Sequence, residues 1–479
     1  MKKILSACAV SLMAGCGTAP QSTSDVLQRA AAAMGADKVE TLRYAGSGSG
    51  ASFGQAFRPG MAWPRLNYAS YVRQADYRAG ASSVEVVQSR AEPTGGGAVP
   101  LTGEQRATTF VNGKLAWNQA GPLPVARPAG ATARRHDLLI TPHGVIKAAQ
   151  RNKARVETRS LGGRELAALT FTEPGVTTAT AFISPEGYVE GVESTMFDQV
   201  LGDTAVVTTY SDYRDFGGVR FPMRIQQSAA GFPVLDVTVK DVQPNAEVNL
   251  AVPEVVRGFK ENVTTEHAAP GVWFLSGGSH NSVLIEMKDH AILVEAPLDD
   301  GRTLAVFDAA RKLLPGKPVR FVVNSHAHFD HSGGLRAAAG EGATLVVQEQ
   351  SRGYLEKALA NPNRISLDHL ARSGKRPSIV GVADGHLFED GTRRVEIHRV
   401  MESVHSDTFL AVFLPRERLL IEADSFTPPP PNSPAPQVPN ALHVELVKNL
   451  ERLGLPVERI LPLHGRIVPL GELYRMVGK

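Results

Sequence analysis

The sequence predicts an α+β chain in two parts. A mainly antiparallel β domain with a few helices spans about residues 24–250, and a domain of strands interleaved with helices spans 262–479. Three observations lead there. At 479 residues the chain exceeds what one hydrophobic core ordinarily serves. Its first half is a succession of short alternating strands separated by Gly-rich turns. In its second half apolar strands are each followed by a turn or helix, with histidines and aspartates gathered at the strand ends. At 43% hydrophobic and 21% charged residues, the chain has enough apolar surface to fill both cores.

The opening segment is Met1-Lys2-Lys3, an apolar stretch from Ile4 to Gly15, then Cys16, which has the pattern of a secretory signal. Its end, Leu12-Met13-Ala14-Gly15-Cys16, resembles the lipobox of bacterial lipoproteins, in which the cysteine is acylated and becomes the new N-terminus. The resemblance implies a protein of the bacterial cell envelope, lipid-anchored or periplasmic; plain cleavage near Ala19 is the alternative. The other cysteine, Cys8, leaves with the signal, so no disulfide and no cysteine metal ligand is expected. Without Lys2 and Lys3, 49 basic residues face 48 acidic ones, a balance that argues against nucleic acid as a partner. No apolar run reaches the length of a membrane span.

Ser24-Asp25 reads as a cap, and Val26, Ala30 and Met34 share one face of a helix ending at Gly35. Leu42 and Tyr44, then Leu66, Tyr68 and Ser70, alternate as strands, and Val84–Val87 adds another. Asn112-Gly113 predicts a hairpin, as do Gly162-Gly163, Pro185-Glu186-Gly187 and Gly217-Gly218. A strand is expected over Val206–Tyr210 and another over Val234–Val242. Thr141 and Pro142 start a helix running to Gln150. The layout resembles, in topology, the half-barrel of periplasmic lipoprotein carriers. His136 and His143 lack acidic partners in register and read as surface residues, with Arg134 and Arg135 solvated. Pro244 to Pro270 reads as a linker.

The second half turns on Phe321-Val322-Val323-Asn324-Ser325-His326-Ala327-His328-Phe329-Asp330-His331-Ser332-Gly333-Gly334. An apolar strand delivers three histidines and an aspartate within six residues, and imidazole and carboxylate are ligands that Zn²⁺ favours. His326 and His328 alternate, so extended backbone points both rings one way; Asp330 and His331 can serve a second ion. Gly333 and Gly334 let the chain turn into a helix. Before this loop lie a meander from Val272 to Glu295 and a helix over 300–314 with Leu304, Phe307 and Leu314 inward. After it come a strand at Ala343–Val347, a helix at Ser351–Ala360, and a polar stretch, 361–378, that is either a lid or a surface excursion. Strands then end at His405 and at Asp424, a polyproline segment occupies 427–439, and a helix at Ala441–Leu453 precedes the strand Arg459–Leu463, which ends in His464.

At His326, His328, Asp330 and His331 the chain resembles the metallo-β-lactamase superfamily, whose signature is His-x-His-x-Asp-His, and the resemblance covers 262–479. It implies an αβ/βα sandwich and a binuclear zinc site. His326, His328 and His405 would hold one ion, Asp330, His331 and His464 the second, and Asp424 would bridge. His405 lacks the glycines usual beside it, and Asp424 sits in Ala423-Asp424-Ser425, a segment in which some β-lactamases use the aspartate otherwise. Glu295 stands where relatives carry an aspartate, either orienting the metal loop or lying on the surface. His280 and His398 read as bland residues near the site. The implied activity is hydrolysis by metal-bound hydroxide of an ester, lactone, thioester, amide or phosphoester, with Asp330 orienting the hydroxide. β-Lactam hydrolysis is one alternative. An envelope lipoprotein whose N-terminal domain binds an apolar ligand or a partner is another. Diiron relatives carry a glutamate at the position of His328, so iron-dependent oxidation is disfavoured.

Overall fold

The computed structural model describes residues 22–92, 96–97 and 103–479; the signal segment with Cys16 lies outside them. Residues from Thr41 to Pro244 build one thirteen-stranded antiparallel sheet made of two meanders. They join where the first strand, Thr41–Ala51, pairs with the last, Phe232–Pro244, in the register Leu42↔Pro244 and Tyr44↔Val242. The alternation seen in the sequence is the alternation of burial: Leu42 and Tyr44 enter the core, and Arg43 pairs outside with Asp241. Helices Thr23–Met34 and Pro142–Arg151 share a core with the sheet, with Val26, Ala30, Met34, Val145 and Ile146 against Leu169, Phe221 and Val237.

The first helix is capped by Ser22, whose side chain accepts from the Asp25 amide, two residues before the cap expected at Ser24. Its C-terminal Gly35 has φ +64 and packs so tightly on the Gly218 carbonyl that no Cβ fits. The strand expected over Val206–Tyr210 extends to Gly202–Asp215, because backbone pairing continues past the apolar residues. A helix at Ala131–Leu139 was not legible and changes the reading of its neighbours. His136 and His143 are fully buried, not on the surface. The His136 Nε2 meets Ser194 Oγ at 2.9 Å, and the His143 Nε2 donates to the Met34 carbonyl at 3.0 Å. Nor is Arg134 solvated: its guanidinium donates to the Phe110 and Trp117 carbonyls, and burial lowers it to about 10.

The linker contains a short helix, Glu254–Arg257, and ends in an edge strand, Thr264–Ala269. That strand opens a seven-stranded sheet, antiparallel through Ala291–Val294 and parallel from there through Val319–Val323, Thr344–Gln348 and Ser378–Val382. A six-stranded sheet, from Gly385–Glu389 to Val468–Pro469, faces it. Ile292, Val294 and Val323 point into the layer shared with Ile397, Val412 and Ile421, and Leu293 and Val322 point the other way, to the helices at Asp300–Leu313 and Leu335–Glu341. Ala441–Leu453 covers the outer side of the second sheet with Leu446 and Leu450, giving helix, sheet, sheet and helix layers. The helix after the metal loop needs Gly333 and Gly334 for space, not for left-handed backbone: a Cβ would collide with the Leu298 carbonyl and with Thr303. Residues 361–378 carry a helix, His369–Ser373, and bond to Asp203, Asp300 and Arg336. Among the described residues no helix is long and apolar enough to cross a membrane.

Burial pushes His143 down to about 4. Between pH ~6.5 and ~4 the unfolded chain takes up a proton that the folded one refuses, so stability is lost as pH falls through that window. His143→Gln removes this contribution, about 3 kcal/mol at full effect. Urea midpoints should fall less between pH 7 and pH 4 for the variant than for the wild type; parallel falls would exclude the effect.

Candidate metal centre

Four segments at the mouth of the sandwich deliver metal-type side chains. Val319–Val323 leads to His326, His328, Asp330 and His331; the segment before Leu410–Leu414 carries His405; Leu419–Glu422 leads to Asp424; and Arg459–Pro462 leads to His464. The structure brings these seven together. His331 Nε2 and His405 Nε2 lie 2.9 and 3.2 Å from Asp424 Oδ2, and His464 Nε2 lies 2.9 Å from Asp424 Oδ1. His326 Nε2 is 3.3 Å from Asp424 Oδ2. Ligand atoms of His326, His328 and His405 form one group within 4.8 Å; those of His280, Asp330, His331 and His464 form another; His326, His331 and Asp424 overlap both.

The hydrogens on these rings point away from the centre. Backbone carbonyls only accept, so His328 Nε2 donates to Ala56 (3.1 Å), His405 Nδ1 to Gly97 (3.0 Å) and His464 Nδ1 to Ser279 (2.9 Å). His331 Nδ1 donates to the Glu295 carboxylate at 3.0 Å. The Ser325 hydroxyl gives its hydrogen to Glu295 and so accepts from His326 Nδ1. The inward nitrogens therefore carry lone pairs in the neutral rings, and they face one another at 3.1 Å between His405 and His326 and at 3.2 Å between His464 and His331. His328 Nδ1 and Asp424 Oδ2 are buried without a hydrogen-bond partner. Lone pairs and carboxylates crowded this way repel unless a cation lies between them, and imidazole with carboxylate is the donor set zinc takes. The residues fit one or two such cations.

Without a metal, the electrostatics gather the positive charge on His331. Burial, then the neighbouring rings, push His326 far below the ordinary histidine range and His328 down to about 3. Burial opposes charge on His331 too, but Asp424 and Asp330 outweigh it and raise it well above its usual range. Burial opposes charge on Asp330 and Asp424 as well, but His331 together with His280 at Asp330, and with His405 at Asp424, overcomes it and holds both well below their usual range. The two carboxylates thus draw positive charge to the point between them.

Four supports were less legible. Glu295 is fully buried, accepts from Asn324, Ser325 and His331, and has φ +93; it orients the metal loop and is not on the surface. His280 sits 3.3 Å from Asp330 Oδ2 with its ring 4.2 Å from His464, and Arg302, itself buried, donates to the His280 carbonyl. Its neighbour Asn281 binds the Pro462 and Gly465 carbonyls on both sides of His464; the signal was the polar Gly277-Gly278-Ser279-His280-Asn281 turn. Gln55, from the other domain, donates to Asp330 Oδ1 at 2.8 Å. His398 instead pairs with Glu396 on its own strand. Of the polyproline segment, Pro429 accepts from Arg466, beside His464.

Comparison with known proteins adds the following. A profile described as the metallo-beta-lactamase superfamily matches residues 275–464. The alpha subunit of a 2,4-dinitroanisole O-demethylase from Nocardioides sp. is 24% identical over 208 residues, 43% of this chain; the match spans 58% of that subunit's length. Among solved structures, a metallo-beta-lactamase from Pontibacter korlensis is 16% identical over 45% of this chain and 98% of its own, with a TM-score of 0.36. The metallo-beta-lactamase FIM-1 from Pseudomonas aeruginosa, in its mono-zinc form, is 19% identical over 45% of this chain and 93% of its own, with a TM-score of 0.34. Residues 275–464 are a metallo-beta-lactamase superfamily domain, joined in this chain to an N-terminal antiparallel β domain, and its His/Asp clusters can form a binuclear metal site.

Proposed function

We propose that the protein is a binuclear zinc hydrolase acting on a small substrate with an ester, lactone, thioester, amide or phosphoester bond. One observation carries this reading: five imidazoles, each with one ring nitrogen engaged outward, turn the other nitrogen toward two carboxylates. In this reading His326, His328 and His405 would hold one ion and Asp330, His331 and His464 the other, with Asp424 serving both. When bound, the dications supply Lewis acidity, which acidifies water and polarises the bond to be cleaved. The chain's own part is to orient and to take up protons. The Asp330 side chain is 36% exposed, the most open of the site carboxylates, which supports a role for Oδ2 in accepting a hydrogen bond from incoming water. Glu295 keeps His326 and His331 in the tautomers that leave Nε2 bare.

The substrate panel follows from the same chemistry, with a cephalosporin and 2,4-dinitroanisole added for the β-lactamase and O-demethylase relatives. The alternative role as an apolar-ligand carrier gains little from two cavities of the N-terminal domain: one, lined by Tyr77, Leu138, Lys147 and Val176, holds about 100 Å³, and a larger one of about 530 Å³ is lined by charged and polar residues such as Arg43, Glu85 and Arg106. Small-molecule sites usually enclose ~300–1,000 Å³.

Purified protein should contain about two zinc ions per chain, lose its turnover to a chelator and regain it with zinc. Asp424→Asn keeps the shape and removes the charge; metal content should fall towards about one, with the loss at the Asp330, His331, His464 side, and turnover should fall by more than about tenfold. A variant that keeps two ions would remove Asp424 from the ligand set.

The lipobox-like Leu12–Cys16 segment supports anchoring to the bacterial envelope through an acylated Cys16. The mature mass should correspond to a chain starting at Cys16 plus its acyl groups. An unmodified chain starting after Ala19 would show simple secretion.

A further inference from the structure

We propose that the N-terminal domain is a working part of the metal centre and that Gln55 is a positioning residue for Asp330. The inference rests on the binuclear reading above. It begins with a loop, residues 52–64, between the first two strands of the thirteen-stranded sheet. The loop is fixed to its own domain by the Ser52 amide on the Pro64 carbonyl (2.8 Å) and by Phe53 against Trp63, ring centroids 4.2 Å apart.

From there it reaches the ligands directly. The Gln55 carboxamide donates to Asp330 Oδ1 at 2.8 Å, leaving Oδ2 to face His280 and His331. The Ala56 carbonyl takes the Nε2 hydrogen of His328, which leaves Nδ1 bare. Between those two ligands stands Phe329. Its amide donates to Gly54 at 3.1 Å, and its ring meets Phe53 edge-on at 5.5 Å and packs with the N-terminal core. Gly54 has φ +81, and a Cβ there would strike the Phe329 ring, so the approach is as close as two chains allow. The far side of the loop holds the other ligand segment: the Asp407 amide donates to Phe57 at 3.0 Å and Arg58 pairs with Asp407 at 2.9 Å, two residues from His405.

An ordinary domain interface would place side chains against the surface of its partner. This one places a neutral amide donor on a ligand carboxylate and a carbonyl on a ligand imidazole. A neutral donor orients Asp330 without cancelling the charge that a cation needs, which a lysine there would do. Outer partners of this kind typically change metal affinity by ~10–100-fold when removed.

The test uses the full chain. Gln55→Leu removes the donor at similar size, and Arg58→Ala removes an interface contact that touches no ligand. Stepwise zinc dissociation constants come from competition with a chromophoric chelator, and the visible spectrum of the cobalt-loaded protein reports ligand geometry. Gln55→Leu should weaken one of the two ions by about tenfold or more and alter the cobalt spectrum, with the metal-free melting temperature unchanged. Arg58→Ala should leave both constants within about threefold of wild type. Wild-type constants and spectrum in Gln55→Leu would overturn the proposal, reducing the loop to an interface. If wild type itself binds no second ion, the binuclear reading falls first, and the proposal with it.

Discussion

The centre depends on holding like with like. Imidazole nitrogens and carboxylate oxygens sit about 3 Å apart, in places facing one another, and apart from the attraction between His331 and the two carboxylates they repel unless a cation lies among them. Each must be braced from behind, and the bracing explains features that otherwise look unrelated. Glu295 has a left-handed backbone, unusual for a residue with a side chain and costing ~1–3 kcal/mol. It is fully buried, where a lone carboxylate is unfavourable. Both costs are offset because its two oxygens engage Asn324, Ser325 and His331, fixing the strand end and one ligand, with a second ligand, His326, held through Ser325.

What was legible in the sequence was what is local. His326 to His331 lie within six residues, so their spacing alone implies convergence, and the strand-end positions of His405, Asp424 and His464 follow once the superfamily is in view. The braces were not legible because they are distant: Glu295 lies 36 residues from His331, and Gln55 lies 275 from Asp330. No periodicity carries information over such separations. The same limit explains His136 and His143. Polar residues on short helices look exposed until the sheet that covers them is known, and that thirteen-stranded sheet is assembled by pairing residue 42 with residue 244.

The two domains meet at separate points, and this bears on how the site works. One is the loop from Gly54 to Arg58 on the ligand segments. Another lies where Asn361 donates to the Leu201 and Asp203 carbonyls and the Asp203 amide donates to Pro362 at 2.8 Å. Two pins confine any rotation to the line that joins them, and opening either would break several hydrogen bonds together. Domain pairs joined by a linker such as 245–253 ordinarily swing. Here the Phe329 ring, set in the neighbouring core between His328 and Asp330, ties the position of the N-terminal sheet to that of these two residues. A rigid sheet behind a short loop is a sound way to set ligand angles, since an element with many paired strands yields less than a free loop. On the proposal above, the thirteen strands bear on the site through stiffness, while among the described residues the His/Asp clusters that could hold a metal all lie outside that sheet.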